Sequence, residues 1–358
     1  MIGYPAGPGN ALTDVSGLRI GHHERTDGGY LSGTTVILAP DDGMVAGVDV
    51  RGGAPGTRET DLLHPTASPR LINAIVLTGG SAFGLSAASG VTDALAARGV
   101  GFAVGPPGAV VPIVPGAVLF DLGRGGDFTK RPGPEFGLGA VTAALRNGPD
   151  TRMGPVGAGS GAVTAGIKGG VGTASAVTPD GIVVAALVVA NAVGCPVDPR
   201  NGELLGARNL RPEDFPGLRI PTTADRDALL HAVMNTGPHL RTPGGPAPSP
   251  VQNTSIGIIA TNATLTRAQC TKMAGTAHDG LARALNPVHT QFDGDTLFAV
   301  STGAAPVPDE IGLHHILCAA ADVVTRALVR GLLAAQSVTT GGGSWSSYLD
   351  LAPSARGG

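Results

Sequence analysis

Aromatic and charged side chains are both scarce in this 358-residue chain, at 3% and 14% of the sequence. So few aromatics leave no stacking platform for nucleic-acid bases. A formal net charge of -3 leaves no basic footprint for phosphates. Cysteine is rarer still: Cys195, Cys270 and Cys318 are scattered, odd in number and never in a Cys-x-x-Cys pair. That argues against a disulfide framework and against a structural zinc site. No basic stretch followed by an apolar core opens the chain, which gives no sign of a signal peptide. The longest apolar run, Ile182 to Val193, is broken by Asn191 and is too short to span a bilayer. The expectation is a soluble, cytoplasmic protein with neither nucleic-acid nor membrane partners. Glycine, by contrast, is abundant, 57 residues of 358, roughly twice the usual share. Without a collagen period, and with apolar runs throughout, it points to tight turns and close backbone packing rather than disorder. The length suits one large core or two domains.

Short β-rich runs alternate with small-residue helices. Thr34–Leu38, Met44–Val50 and Ala74–Thr78 read as strands. Ser81–Arg98 reads as a helix with Leu85, Ala88, Val91 and Leu95 on one face. Gly181–Val193 reads as a buried strand or a pair of short ones. Five prolines and a Gly-Gly pair make residues 236–250 the clearest linker. After it the order is strand (Ser255–Thr261), helix, strand (Thr296–Ser301), helix (Glu310–Ala335). Thr266 and Gln269 form a capping box ahead of the first of these helices, and Asn286-Pro287 stops it. Two strands make too small a sheet to stand alone, so this part is expected to complete a sheet begun upstream. No internal repeat is visible.

Several familiar motifs fail. The stretch Gly157 to Lys168 invites a nucleotide reading, but Gly169 follows Lys168 where a P-loop needs Ser or Thr. Ala162 stands where a dinucleotide fingerprint needs glycine. Gly79-Gly80-Ser81 after a strand resembles a nucleophile elbow, yet lacks Gly-x-Ser-x-Gly. A tight strand-to-helix turn capped by Ser81 is the simpler reading. The nine histidines include His22-His23 and His314-His315, but no His-Glu-x-x-His. No metal site is therefore expected.

What remains is the junction Asn253-Thr254, where the proline-rich segment meets an apolar run. It reads as an ordinary loop-to-strand junction or as a concealed nucleophile. If the bond before Thr254 breaks, that residue gains a free α-amine beside its own hydroxyl, a nucleophile and base in one residue. Asp293-Gly294-Asp295 reads as a turn with solvated carboxylates and a strained glycine, or as a carboxylate pair at a strand entrance. Asn191, if buried, must be hydrogen-bonded, and can be structural or an oxyanion donor. Lys168, among glycines, is exposed or, if buried, lowers the pKa of a neighbouring amine.

The chain resembles the autoproteolytic aminopeptidases typified by the L-aminopeptidase/D-esterase-amidase DmpA, with the β-peptidyl aminopeptidases and nylon-oligomer endo-hydrolases as siblings. The resemblance spans almost the whole chain. It is carried by Gly7-Pro-Gly-Asn-Ala-Leu-Thr-Asp-Val, by the run from Val48 to Thr60, by Leu77-Thr-Gly-Gly-Ser-Ala-Phe-Gly-Leu and by the run from Val111 to Leu122. Asn253-Thr-Ser-Ile-Gly-Ile-Ile-Ala-Thr-Asn-Ala and Asp293-Gly-Asp-Thr-Leu-Phe-Ala complete it. It implies a single α/β domain over residues 1–358, a four-layer α/β/β/α sandwich like that of N-terminal-nucleophile hydrolases but differently connected. It implies self-cleavage at Asn253-Thr254 into an α chain, 1–253, and a β chain, 254–358. Thr254 would be the nucleophile, Asn191 the oxyanion-hole donor, Lys168 the lysine of the nylon-oligomer branch, and Asp293 and Asp295 the pair orienting the amine. Substrates would be small peptides, amides or esters with a free amino terminus, no cofactor would be needed, and αβ pairs would form homo-oligomers. Two departures matter. Thr254 replaces the serine of the founding enzymes, and Phe120 stands where several members carry a tyrosine. A cleavage-dead member, kept as a binding scaffold, is the competing reading.

Overall fold

The structure, a computed structural model, describes residues 3–68, 71–146, 148–234 and 253–357. The linker expected at 236–250 lies outside the described residues. The main strands are β1 (Arg19–Arg25), β2 (Ser32–Leu38), β3 (Val45–Val50), β4 (Thr57–Arg58), β5 (Ala74–Thr78) and β6 (Gly116–Val118). Four longer ones follow: β7 (Val171–Val177), β8 (Val183–Val189), β9 (Ile256–Ala263) and β10 (Thr296–Ala305). They form two five-stranded sheets, in the orders β1-β2-β5-β6-β4 and β7-β8-β9-β10-β3. The strands after residue 253 do complete a sheet begun upstream: β9 lies antiparallel to β8 and parallel to β10.

The sheets stack face to face, and this explains why their strands read as unbroken apolar runs rather than alternating ones. Successive residues serve different cores. In β8, Ala185, Leu187 and Val189 point into the core between the sheets, while Val184, Ala186 and Val188 face the outer helices. In β5, Ile75 and Leu77 face the other sheet, and Ala74 and Val76 face helices. Helices α1 (Ala87–Ala96) and α2 (Pro134–Arg146) cover the first sheet through Val91, Ala94, Val141 and Ala144. After α3 (Thr223–Met234), α4 (Arg267–Ala284) and α5 (Glu310–Leu333) cover the second through Met273, Ala277, Val324 and Leu328. The result is the expected four-layer α/β/β/α sandwich. Each fully buried Leu, Ile or Val in these layers contributes about 1.5–3 kcal/mol.

Glycine brings the layers together. A Cβ at Gly21 would lie 2.0 Å from the carbonyl oxygen of Ala140 in α2, and one at Gly172 only 1.9 Å from that of Ala327 in α5. The capping box of α4 is present, with Thr266 accepting from the Gln269 backbone and Gln269 returning to the Thr266 N–H at 2.8 Å.

The helix expected over Ser81–Arg98 is instead a single turn, Ser81–Gly84, followed by α1. At the break the backbone tightens to i→i+3 bonds, and the Ser86 hydroxyl donates to the Phe83 carbonyl at 2.9 Å. Such side-chain bonding competes with the helical ladder. Ser81 does not cap that turn. The cap is Gly80 at φ 88°, no side chain bonds to the helix end, and Ser81 itself sits at φ 51°.

Candidate active site

Thr254 lies two residues before β9 and is 6% exposed. Its amide donates to the Asn191 carbonyl at 2.6 Å. Its side chain joins Ala54, Pro55, Ser81, Val118 and Phe120 in lining a cleft of about 230 Å³. Asn253 is also buried, and pairs as a parallel bridge with the segment ahead of β10. Its N–H donates to Phe292 O at 3.2 Å, and its carbonyl accepts from the Gly294 N–H at 3.2 Å. The carbonyl of the Asn253-Thr254 bond therefore carries a backbone donor already in place.

Asn191 follows β8 and is fully buried. Its Oδ1 accepts from Arg124 Nη1 at 2.6 Å and from the Val163 amide at 3.0 Å. Its Nδ2 faces the carbonyl oxygen of Thr254 at 3.4 Å. The requirement that a buried asparagine be hydrogen-bonded is met. In the uncut chain, however, the donor on the Asn253 carbonyl is Gly294 rather than Asn191.

Lys168 is buried, at 1% exposure, not on the surface. All three of its ammonium protons are taken, by the carbonyls of Gly159 at 3.1 Å, Ala162 at 2.9 Å and Gly169 at 2.8 Å. It therefore has no ammonium proton left for a bond to Thr254. Burial, reinforced by the nearby Arg124 charge, lowers its pKa to about 7.

Asp293 and Asp295 are 1% and 0% exposed, so the solvated turn is excluded. Gly294 is absent from the positive-φ glycines; it is needed for space instead. A Cβ there would lie 2.6 Å from Ala54 O and 2.7 Å from Thr254 Oγ1. Neither carboxylate bonds Thr254. Asp293 accepts from the Val193 amide at 3.1 Å and from Thr290 Oγ1 at 2.7 Å. Burial and then the neighbouring Asp295 raise its pKa. Asp295 accepts from the Ser255 amide at 2.8 Å and pairs with His289 Nδ1 at 2.8 Å. The two aspartates thus hold the segment after β8, at Val193, and the entrance to β9, at Ser255.

Arg124 is the residue that the sequence reading passes over. Its Nη1 donates to Gly161 O and to Asn191 Oδ1, each at 2.6 Å, and its Nη2 donates to Asn253 Oδ1 at 2.9 Å. One guanidinium thereby ties the asparagine before the junction to the asparagine beside it. Burial lowers its pKa to about 10, which Asp121 opposes. Its carbonyl is held in turn by the Thr340 hydroxyl, from the hairpin of Val338–Thr340 and Gly343–Trp345. The available signal was Gly123-Arg124-Gly125, two residues beyond the motif that ends at Leu122. A cation between glycines has free backbone on both sides. His289 also escapes sequence reading, since a lone histidine carries no pattern.

Among the described residues no cluster of three or more His, Cys, Asp or Glu side chains could hold a metal ion. No helix in them is long and apolar enough to cross a membrane.

The four stacked layers are those of the N-terminal-nucleophile hydrolase fold. The chain belongs to peptidase family S58, whose model matches residues 10–345. It is 44% identical, over 97% of its length and 99% of the relative's, to an uncharacterized aminopeptidase of Mycobacterium tuberculosis (strain ATCC 25618 / H37Rv). It is 29% identical, over 84% and 77%, to a 6-aminohexanoate-oligomer endohydrolase of Paenarthrobacter ureafaciens. A Burkholderia sp. β-aminopeptidase structure superposes with a TM-score of 0.69 at 25% identity, covering 97% of this chain and 94% of that one. The L-aminopeptidase D-Ala-esterase/amidase of Ochrobactrum anthropi, described as a new variant of the N-terminal-nucleophile fold, superposes with a TM-score of 0.68 at 21% identity, covering 96% and 93%. The family makes the chain a peptide- or amide-bond hydrolase.

Proposed function

We propose that this chain cuts itself between Asn253 and Thr254 and then works as an N-terminal-threonine aminopeptidase or amidase. The observation that carries the reading is the junction itself: a threonine side chain lining the cleft, next to a carbonyl already bonded to the Gly294 amide. In the first stage Thr254 Oγ1 attacks the Asn253 carbonyl carbon. The C–N bond then breaks, and the hydroxyl proton ends on the departing nitrogen. Water hydrolyses the resulting ester to the Asn253 carboxylate and the free Thr254 hydroxyl. Gly294 N–H stabilises the developing oxyanion, a contact that typically contributes on the order of a hundredfold in rate.

In the mature protein the Thr254 amine is the general base for its own hydroxyl. The Asn191 carbonyl, which holds that nitrogen at 2.6 Å, keeps it in place. Free α-amines titrate at about 7.7–8.0. The Arg124 charge, joined by that of Lys168 only below about pH 7, favours the neutral, basic form. Asn191 Nδ2, which faces Thr254 O at 3.4 Å, is a side-chain donor for a substrate oxyanion. Asp293 and Asp295 serve as positioning residues. Substrates are small aminoacyl amides, peptides or oligoamides, in keeping with the aminopeptidases and the oligoamide endohydrolase it resembles. Oligomers of αβ pairs belong to the same reading and are checked by light scattering.

Intact-mass analysis of purified protein tests the first stage. Two fragments are expected, the smaller beginning at Thr254, with one uncut chain in Thr254→Ala. A wild-type chain that stays whole overturns the reading and favours a binding scaffold. Hydrolysis of a panel of aminoacyl p-nitroanilides tests the second stage.

A further inference from the structure

Ser81 occupies a position that a serine does not favour. Its φ of 51° lies in the left-handed region, where a Cβ crowds the following carbonyl. The ordinary reason for a serine there, capping the helical turn, is absent, because Gly80 is the cap and no side chain bonds the helix end. Among the described residues the Ser81 hydroxyl has no hydrogen-bond partner at all, while the backbone is fixed by Ser81 N–H donating to Leu119 O at 2.9 Å. Ser81 lines the Thr254 cleft, whose other walls include Ala54, Pro55, Val118 and Phe120. Of the residues lining it, only Thr254 and Ser81 carry a hydrogen-bonding side chain. Backbone strain at a residue with an unpartnered hydroxyl, in the same cleft as Thr254, points to a functional constraint.

We propose that Ser81 is a catalytic residue that touches substrate: its Oγ–H donates to the carbonyl oxygen of the amide or ester as Thr254 attacks. The bond from Thr254 Oγ1 to the carbonyl carbon forms, the π electrons move onto oxygen, and Ser81 donates to that oxygen without giving up its proton. The amine of Thr254 takes the hydroxyl proton and passes it to the leaving group, which departs with the electrons of its bond as the carbonyl reforms on an acyl-Thr254 ester. Ser81 supplies the cleft wall with the polar contact that Phe120 lacks. The inference rests on Thr254 being the nucleophile. Self-cleavage does not need Ser81, because the Asn253 carbonyl is served by Gly294.

The test uses 4-nitrophenyl acetate, a small activated ester that reports acylation whatever the natural acyl group is. Nitrophenolate release is followed for wild type, Ser81→Ala, Ser81→Gly and Thr254→Ala, alongside the mass of each protein. Both Ser81 variants are expected to self-cleave like wild type and to acylate on the order of a hundredfold more slowly. Ser81→Gly, freed of the left-handed strain, is expected to melt at or above the wild-type temperature, so its loss of rate cannot be a loss of fold. Ser81 variants within about twofold of wild type overturn the proposal. A loss confined to Ser81→Ala also overturns it, since Ser81→Gly lacks the hydroxyl as well. A wild type no faster than Thr254→Ala overturns the nucleophile reading, and this one with it. The first two outcomes leave the nucleophile standing.

Discussion

Gly294 shows how little room surrounds Thr254. Any side chain there meets Ala54 O and Thr254 Oγ1 at once. Gly294→Ala is expected to leave a folded chain that cuts itself about a hundredfold more slowly, the effect of misplacing reacting atoms by ~1 Å. Time-resolved intact mass reads this directly. Arg124→Ala strips a donor from Gly161 O, Asn191 Oδ1 and Asn253 Oδ1 together. Leaving buried acceptors unpaired costs about 1–3 kcal/mol, so a lowered melting temperature and slower cleavage are expected together. Lys168 gives a pH signature. With its folded pKa near 7 and its unfolded value at about 10.4, both states hold the proton at low pH. Between those values the native state releases it while the unfolded state keeps it. Stability should therefore rise with pH across that window and be lost as pH falls through 7. A series of melting temperatures for wild type and Lys168→Met checks it, the rise being absent in the variant. Thr254, Asp293 and Asp295 lie in motifs visible in the sequence, and Asn191 stands out as a polar residue in an apolar run. The structure brings Asn191 and the segments of both aspartates to the Asn253-Thr254 junction. Their partners were not legible: Lys168 spends its protons on carbonyls, and Arg124 sits between glycines with no pattern to mark it.

Elements were legible where periodicity or a cap spoke. The Thr266–Gln269 box placed the start of α4, and the strands Ala74–Thr78 and Ile256–Ala263 follow apolar runs. The helix from Ser81 was read as continuous because apolar spacing carries no information about a serine bonding back three residues. Glycine content foretold close packing but not its partners. Those became visible only with β1 lying on α2 and β7 on α5. Gly172→Ala is expected to destabilise the protein by about 1–3 kcal/mol, because the new methyl would fall within 1.9 Å of the Ala327 carbonyl. Thermal or urea unfolding measures it, and Ala176, on the same strand but already carrying a methyl group within the helix-side core, offers a contrast.

The whole molecule is held together across the junction. β9 lies between β8 and β10, and β3 closes the far edge of the same sheet. Once the chain is cut, the fragment from Thr254 onward supplies two inner strands and the helices α4 and α5. It cannot leave without opening two cores. The fragments are expected to elute as one species in native chromatography and to part only in denaturant, and elution as separate species would show that the shared sheet does not hold them.

That interleaved sheet also gives the molecule a history. An intact chain folds with β8 and β9 tethered, so their pairing is intramolecular. Severed fragments must find each other as two solutes, and their refolding becomes second order in concentration. If the proposed cleavage occurs, maturation works as a ratchet: the order of events is fold, then cut, and a cut protein once unfolded has no direct way back at high dilution.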